Sequence, residues 1–557
     1  MIPDPRRLPP ETRQAIAQRC KEAYDAREFL SQMTYFNSAP CRRHAAVVHN
    51  CHDCGIELRR HQRTGAAWLW FAMHGLLADS CGLGKTAQVA TVLALALQTG
   101  ELSQQNRAVI IVQASAIRQW ARELRRMVPA LQVITADGTP GERLRAYLGA
   151  WDVCVISDRT LSPAGKAGHR GYRDGDVERL RQFPVGIVVY DDIDAMRNGG
   201  TKTAWAVKRL AQSADRVYGC HATPMQKRLM EMYHQLEPVG SLSVLGTPAR
   251  VRQRYVSRSS RYLWVPDKRD PTGRRKKRIR IMVDSGVNPT ALPEFKTLIA
   301  PMVLRRTVAD LDDVQLPAVQ TNEVWLDLLP AQQSRMVELQ KGILTQLRDT
   351  GTEITKVKAA AAYTRARQIC SGLAALDDDN DVSVKLDWAV DRITGDFSDD
   401  KVFCFVYFKP NVEALSRRLT AEGVDHVILW SRETDSAERD RRIRKFTEDP
   451  DCRVVIATTT AERSLNLQAA RHLIAVDTIP NPARMTQILG RARRLGSRHT
   501  MVLFHHLLIR DSFEEEVLEQ LRKEQALSDA VWDDTGELFT QDMTPRQMMQ
   551  MIARQAA

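Results

Sequence analysis

The run Leu77-Ala-Asp-Ser-Cys-Gly-Leu-Gly-Lys-Thr86 follows an apolar stretch and opens a helical pattern, Thr86–Gln98. Small residues let backbone N–H groups approach phosphate oxygens closely, and a helix N-terminus adds its dipole. Lys85 is placed to reach β- and γ-phosphates, and the Thr86 hydroxyl to hold Mg²⁺. Gly82 and Gly84 supply the close approach. Asp79 stands where a strict phosphate loop carries glycine, and it is grouped with the nucleotide-contacting residues. A Gly-Lys-Thr turn also arises by chance, but the strand–loop–helix setting favours ATP.

Hydrolysis of a nucleotide needs a second strand ending in carboxylates. Gly186-Ile-Val-Val-Tyr190 ends in Asp191-Asp192-Ile193-Asp194. Asp191 is the candidate Mg²⁺ ligand and Asp192 the water-activating group, against the plainer alternative of an acidic loop. Arg491 and Arg494 lie three apart in a helical pattern, so both can face one direction. By spacing alone that is a solvated basic helix face.

Two further clusters could bind. Lys268 to Arg280 carries eight Lys and Arg, among them Arg274, Arg275, Lys276, Lys277 and Arg278. Asp-Pro-Thr-Gly inside it is turn chemistry, so the segment reads as a basic hairpin or a disordered basic loop. Cys41, His44, Cys51 and Cys54 have the spacing CxxH, six residues, CxxC. Three thiolates and an imidazole make a closed tetrahedral Zn²⁺ set, structural if real and a chance cluster otherwise.

The elements that must position these groups are legible as alternation. Apolar runs at Val109–Val112, Val153–Ser157, Ile187–Tyr190, Lys401–Phe408, Val424–Trp430, Arg453–Thr458, His472–Asp477 and Met501–Leu507 alternate with amphipathic segments at Ile117–Met127, Asn411–Glu422 and Pro482–Leu495. Continuous β-branched runs between helices read as buried parallel strands. The expected fold is α/β, with two tandem doubly wound parallel-sheet lobes, helical insertions and a small N-terminal Cys/His module. The chain has 557 residues, 43% hydrophobic and 26% charged, which at ~100–200 residues per domain means several units and excludes a largely disordered chain. Expected boundaries are an N-terminal region 1–57 with the knuckle at 41–54, lobe one at 58–240, an inter-lobe helical region 241–384 with the hairpin at 268–280, lobe two at 385–510, and a helical brace at 511–557. The net charge of +13 favours a polyanionic partner. The N-terminus lacks the apolar core of a secretion signal, and Gly65–Leu77 is too short to span a bilayer. A cytoplasmic protein with reduced cysteines is expected, with no membrane partner.

With these motifs placed, the chain resembles the Swi/Snf-type ATPases of superfamily 2 helicases, double-stranded DNA translocases with two RecA-like lobes. Leu58-Arg-Arg-His-Gln62 resembles the adenine-reading Q motif, with Gln62 as the base contact. Leu77–Gln88 resembles motif I, Val109–Val112 through Trp120 and Glu123 motif Ia, and Val155–Leu161 sits where motif Ib belongs. Ile187–Asn198 resembles motif II, and Ala222-Thr-Pro224 with Gln226 motif III. Met302-Val-Leu-Arg-Arg-Thr307 with Leu316-Pro317 resembles the segment between the lobes, and Arg367–Cys370 then Lys385-Leu386 the entry to the second. Thr458–Leu467 resembles motif V, Gln487-Ile-Leu-Gly-Arg-Ala-Arg-Arg-Leu-Gly496 motif VI, and Phe513-Glu-Glu-Glu the C-terminal brace. The resemblance implies that Gln487 joins the nucleotide site, that Arg491 and Arg494 act as arginine fingers across the cleft between lobes, and that Ser115, Arg159 and Thr459 contact DNA phosphates.

The sequence departs from that family in motif II, where Asp-Asp-Ile-Asp replaces Asp-Glu-Ala-His. Asp192 is one methylene shorter than the expected glutamate, and a misplacement of ~1 Å can cost ~10²-fold. Either a rearranged backbone restores the reach or hydrolysis is slow. Asp194 replaces a histidine that links nucleotide state to motif III, and Glu462, Arg463 and Ser464 occupy a region usually rich in glycine. The expected activity is an ATP- and Mg²⁺-dependent, sequence-independent motor on double-stranded DNA, with DNA-bound proteins as further partners and a monomer as the working form. A strand-separating helicase and an ATP-gated DNA-binding protein with little hydrolysis are the alternatives.

Overall fold

The computed structural model describes residues 5–22, 58–165, 175–226, 228–266, 276–311, 316–348, 355–377, 380–429, 436–458, 467–478, 482–493, 497, 499–533 and 545–553. The strands run β1 (His74–Leu77), β2 (Arg107–Val112), β3 (Val133–Ala136), β4 (Val153–Ser157), β5 (Val185–Asp191), β6 (Arg216–Cys220), β7 (Val256–Pro266), β8 (Lys276–Val287), β9 (Val303–Leu304), β10 (Ala318–Leu326), β11 (Val402–Phe405), β12 (His426–Leu429), β13 (Val454–Ala457), β14 (His472–Ala475) and β15 (Met501–Ile509). Chain contacts divide the molecule into two units, the first built mainly from residues up to Asp313 and the second mainly from Val314–Gln525.

The first unit holds a seven-stranded sheet in the order β3-β4-β2-β5-β6-β1-β9, parallel throughout. Its strands are continuous apolar runs because helices cover both faces. In β5, every residue from Val185 to Tyr190 is buried, and burial ends at Asp191. The helix Lys85–Gln98 buries Gln88 through Ala96 against this sheet, together with Arg60–Ala72, whose two tryptophans, Trp68 and Trp70, are inaccessible to solvent.

The second unit holds a six-stranded parallel sheet, β10-β15-β14-β11-β13-β12. Both α/β lobes expected from the sequence are therefore present as doubly wound parallel sheets. The stretch 241–384 is not one helical insertion. Its first part, to Asp313, belongs to the first unit, and β10 pairs with β15 along nine positions from Ala318↔Met501 to Leu326↔Ile509. Sequence pattern missed β10 because this edge strand alternates exposed and half-buried residues instead of presenting a continuous apolar run. The helices Pro330–Arg348 and Lys356–Ser371 follow it and pack on Pro545–Ala553, the Met-rich tail.

The basic segment is described from Lys276 onward, where it runs on a paired strand. β7 and β8 pair antiparallel from Val256↔Val287 to Pro266↔Lys276, with a register shift at Ser257/Arg258.

Candidate nucleotide site in the first unit

The site is built at the carboxyl ends of β1 and β5, which flank β6 in the parallel sheet, where open α/β sheets bind ligands. The phosphate loop leaves β1, and Asp191 and Asp192 leave β5. Two backbone hydrogen bonds fasten these exits together: His221 N donates to Leu77 O at 3.1 Å, and Asp192 N donates to Cys220 O at 2.8 Å. Ser115 follows the end of β2, and exposed Arg159 follows β4, on the same edge.

Gly82 and Gly84 have φ of 90° and 79°, a region that favours glycine. Gly84 caps the helix Lys85–Gln98. A Cβ on it would lie 2.3 Å from Gln62 Nε2, so Gln62 sits against the end of the loop. Gln62 is buried, and its Oε1 accepts from Arg59 N at 3.0 Å. Lys85 Nζ donates to the carbonyls of Asp79 at 2.7 Å and Ser80 at 3.4 Å, holding the ammonium at the loop. Thr86 is the second residue of the helix.

Asp79 differs from its expected role. Its side chain is fully buried. Arg306 clasps it through Nε–Oδ1 at 3.0 Å and a second bond from its terminal nitrogen to Oδ2 at 2.6 Å. Gln88 Nε2 donates to Oδ2 at 2.9 Å, and Arg306 also donates to Gln88 Oε1 and to His61 O. Burial opposes the charge on Asp79, but Arg306 above all, with Gln88 and Lys85, holds its carboxyl below the ordinary value. The chain beyond β9 runs beside the loop, with Ser80 N donating to Arg306 O at 2.9 Å. Asp79 therefore serves the loop through its carbonyl and as its anchor, while its carboxylate belongs to an internal ion pair.

In motif II, Trp120 Nε1 donates to Asp191 Oδ2 at 2.9 Å. Asp192 adopts φ of 52°, a left-handed conformation that Asp and Asn tolerate better than most residues. Gln113 Nε2 donates to its carbonyl at 2.6 Å, so Asp192 is held from both backbone sides. Asp194 pairs with Arg197 at 2.7 Å. The buried atoms Gln113 Oε1 and Thr223 Oγ1 have no hydrogen-bond partner among the described residues. Orphaned polar atoms beyond the carboxyl ends of β2 and β6 fit a polar ligand such as a nucleoside triphosphate.

In the second unit, Arg491 lies at the end of the helix Pro482–Ala492, and its Nε is buried without a hydrogen-bond partner among the described residues. Gln487 lies one and a fraction turns earlier on that helix. Lys277 and Arg278 are exposed on β8, and the Arg278 guanidinium lies 3.9 Å from the Tyr262 ring centroid. Arg494, Thr459, Arg274 and Arg275, the Lys276 side chain, and the zinc candidates Cys41, His44, Cys51 and Cys54 lie outside the described residues or side chains. Among the described residues, no group of three or more His, Cys, Asp or Glu could hold a metal ion.

The SNF2-related domain matches residues 61–374, and the helicase conserved C-terminal domain matches 385–496. The chain belongs to the SNF2-related family. Among relatives, it is 25% identical to YwqA of Bacillus subtilis, named as a candidate ATP-dependent helicase/translocase, over 87% of this chain and 50% of that one. It is 24% identical to a Danio rerio DNA repair and recombination protein, RAD54-like, over 86% of this chain and 67% of that one. The chain thus spans about half the length of the bacterial relative. A solved SWI2/SNF2 ATPase core from Sulfolobus solfataricus in complex with double-stranded DNA aligns at 21% identity and a TM-score of 0.38, covering 85% of this chain and 93% of that one. Sequence reasoning found the SNF2-related motifs that hold Trp120 and Arg306 without assigning either side chain a role, and it gave none to Gln113 or His221. Their partners lie far along the chain, so spacing alone carried no signal.

Proposed function

We propose that this SNF2-related chain is an ATP-dependent motor on double-stranded DNA. The observation that carries the reading is the fastening of the phosphate loop to the motif II carboxylates through Leu77 O, His221 N, Cys220 O and Asp192 N. Bound Mg²⁺·ATP supplies the phosphoryl group and an electrophilic metal. Gly82, Gly84 and Lys85 take the phosphates, Thr86 and Asp191 the metal, and Gln62 with Gln487 the nucleotide. Asp192 orients and accepts a proton from the water whose oxygen bonds to the γ-phosphorus as the bond to the bridging oxygen of ADP breaks. Arg491 and Arg494 are assigned to the charge that spreads in that transition state.

Ser115, Arg159, Thr459 and the hairpin basics Arg274, Arg275, Lys276, Lys277 and Arg278 are assigned to DNA phosphates. Such contacts give affinity without base reading. Displacement of DNA-bound proteins follows as the work of such a motor. Duplex-stimulated ATP turnover, absent in Lys85→Ala, tests the reading. A second reading, an ATP-gated DNA-binding protein, is favoured by the one-methylene-shorter carboxylate of Asp192. It predicts nucleotide-dependent DNA affinity with turnover no higher than Lys85→Ala.

A further inference from the structure

The paired strands β7 and β8 have two unlike faces. Successive residues of a strand point to opposite sides, and the register sets Tyr262 opposite Arg280, Ser260 opposite Met282 and Trp264 opposite Arg278. Arg258, Ser260, Tyr262, Arg278, Arg280 and Met282 therefore share one side, and all of them are exposed. On the other side Ser259, Ile279, Ile281 and Val283 are half-buried. The first side is thus the one turned to solvent, and it carries an aromatic ring among arginines.

Tyr262 is 54% exposed. The Arg278 guanidinium, its diagonal neighbour across the ladder, lies 3.9 Å from the ring centroid. A guanidinium is planar and weakly hydrated, so ring and fork together present flat surface that water holds loosely. Among the described residues the one carboxylate on this side, Asp284, lies at its base, 3.4 Å from Arg252 and 3.9 Å from Arg258. The outer part of the face is left to Tyr262, Arg278 and Arg280. A duplex keeps its bases stacked on one another, so it can use these arginines but not the ring. An unpaired nucleotide can use both, because its base has a free π-face and its phosphate a charge.

We propose that the Tyr262 side of β7 and β8 is a stacking platform for unpaired nucleotides of a DNA strand, with Tyr262 and Arg278 against a base and Arg280 on the adjoining phosphate. This rests on the reading of β8 as an element that meets DNA phosphates, and it adds a preference for DNA with a single-stranded part, such as a tail, gap or fork. Stacking reads no sequence, because every base offers a π-face. It also needs no ATP hydrolysis, so it stands apart from the chemistry of the nucleotide site.

The test is fluorescence anisotropy of the full chain without nucleotide, on a blunt duplex and on the same duplex carrying a single-stranded tail. Wild type is compared with Tyr262→Ala, Tyr262→Phe and Arg280→Ala, each checked by its melting curve. A 2-aminopurine in the tail reports stacking directly through its quenching. Wild type should bind the tailed duplex more tightly than the blunt one and quench the 2-aminopurine. Tyr262→Ala should weaken binding of the tailed duplex by ~5-fold or more and relieve the quench, with blunt-duplex affinity and salt slope unchanged. Tyr262→Phe, which keeps the ring, should behave as wild type. Arg280→Ala should lower the salt slope by about one on both DNAs. Equal affinity of Tyr262→Ala and wild type for the tailed duplex, or an equal loss on both DNAs, overturns the platform while leaving the phosphate contacts in place. A salt slope unchanged in Arg280→Ala on both DNAs overturns the phosphate reading of β8, and the proposal with it.

Discussion

Removing the carboxylate of Asp79 would leave the Arg306 guanidinium buried without its counter-charge. Breaking one partner of a buried pair costs ~3–5 kcal/mol, so Asp79→Asn should lower stability by that order in urea unfolding. Because the Asp79 carboxyl is held below its ordinary 3.8, its contribution is present above that value and lost as pH falls through the folded-state value. The stability gap between wild type and Asp79→Asn should therefore be full at neutral pH and shrink in acid. A gap unchanged down to acid unfolding would contradict the pairing. Asp192 tests the chemistry at the same scale. Asn shares its tolerance of positive φ, so Asp192→Asn should melt like wild type yet lose ~10²-fold or more in ATP turnover. The places of Lys85 at the phosphate loop and Asp191 at a strand end were legible because phosphate loops and strand-end carboxylates have fixed local spacing. The role of Asp79 was not, because its partner Arg306 is brought to it only by the β1–β9 pairing.

At the scale of elements, the hairpin β7–β8 presents Lys277 and Arg278 on an exposed strand, which suits backbone contacts and not base reading. Lys277→Ala with Arg278→Ala should weaken duplex binding similarly for different sequences. The salt slope should fall by about one for each phosphate the variant no longer neutralises. ATP affinity in the absence of DNA should not change. Fluorescence anisotropy against salt, on two unrelated duplexes, checks this; an unchanged slope would remove the hairpin from the interface. Elements were legible where strands are buried on both faces: β4 matches the apolar run Val153–Ser157, and the helix Ile117–Met127 its amphipathic pattern. They were not where burial is partial or a strand is short. β10 alternates along an edge, and β9 has two residues. β6 opens on a buried Arg216 paired with Glu101, and a charged residue in a strand core hides the apolar signal.

For the whole molecule, two parallel-sheet units in one chain and membership of the SNF2-related family make repeated, nucleotide-driven work on a polymer the activity to test. On a forked duplex, a double-strand translocase should displace a bound protein without releasing a strand; strand release would move the reading to a helicase. The basic charge of the chain, +13, requires that these assays be run across salt, because phosphate contacts fade steeply with it. The central claim is that the linked loop and motif II carboxylates hydrolyse ATP in response to duplex. ATP turnover with and without double-stranded DNA, using Lys85→Ala as the blank, tests it most directly. The account predicts turnover that rises sharply with duplex and vanishes in Lys85→Ala. Turnover equal to that blank, with ATP still bound, would contradict it.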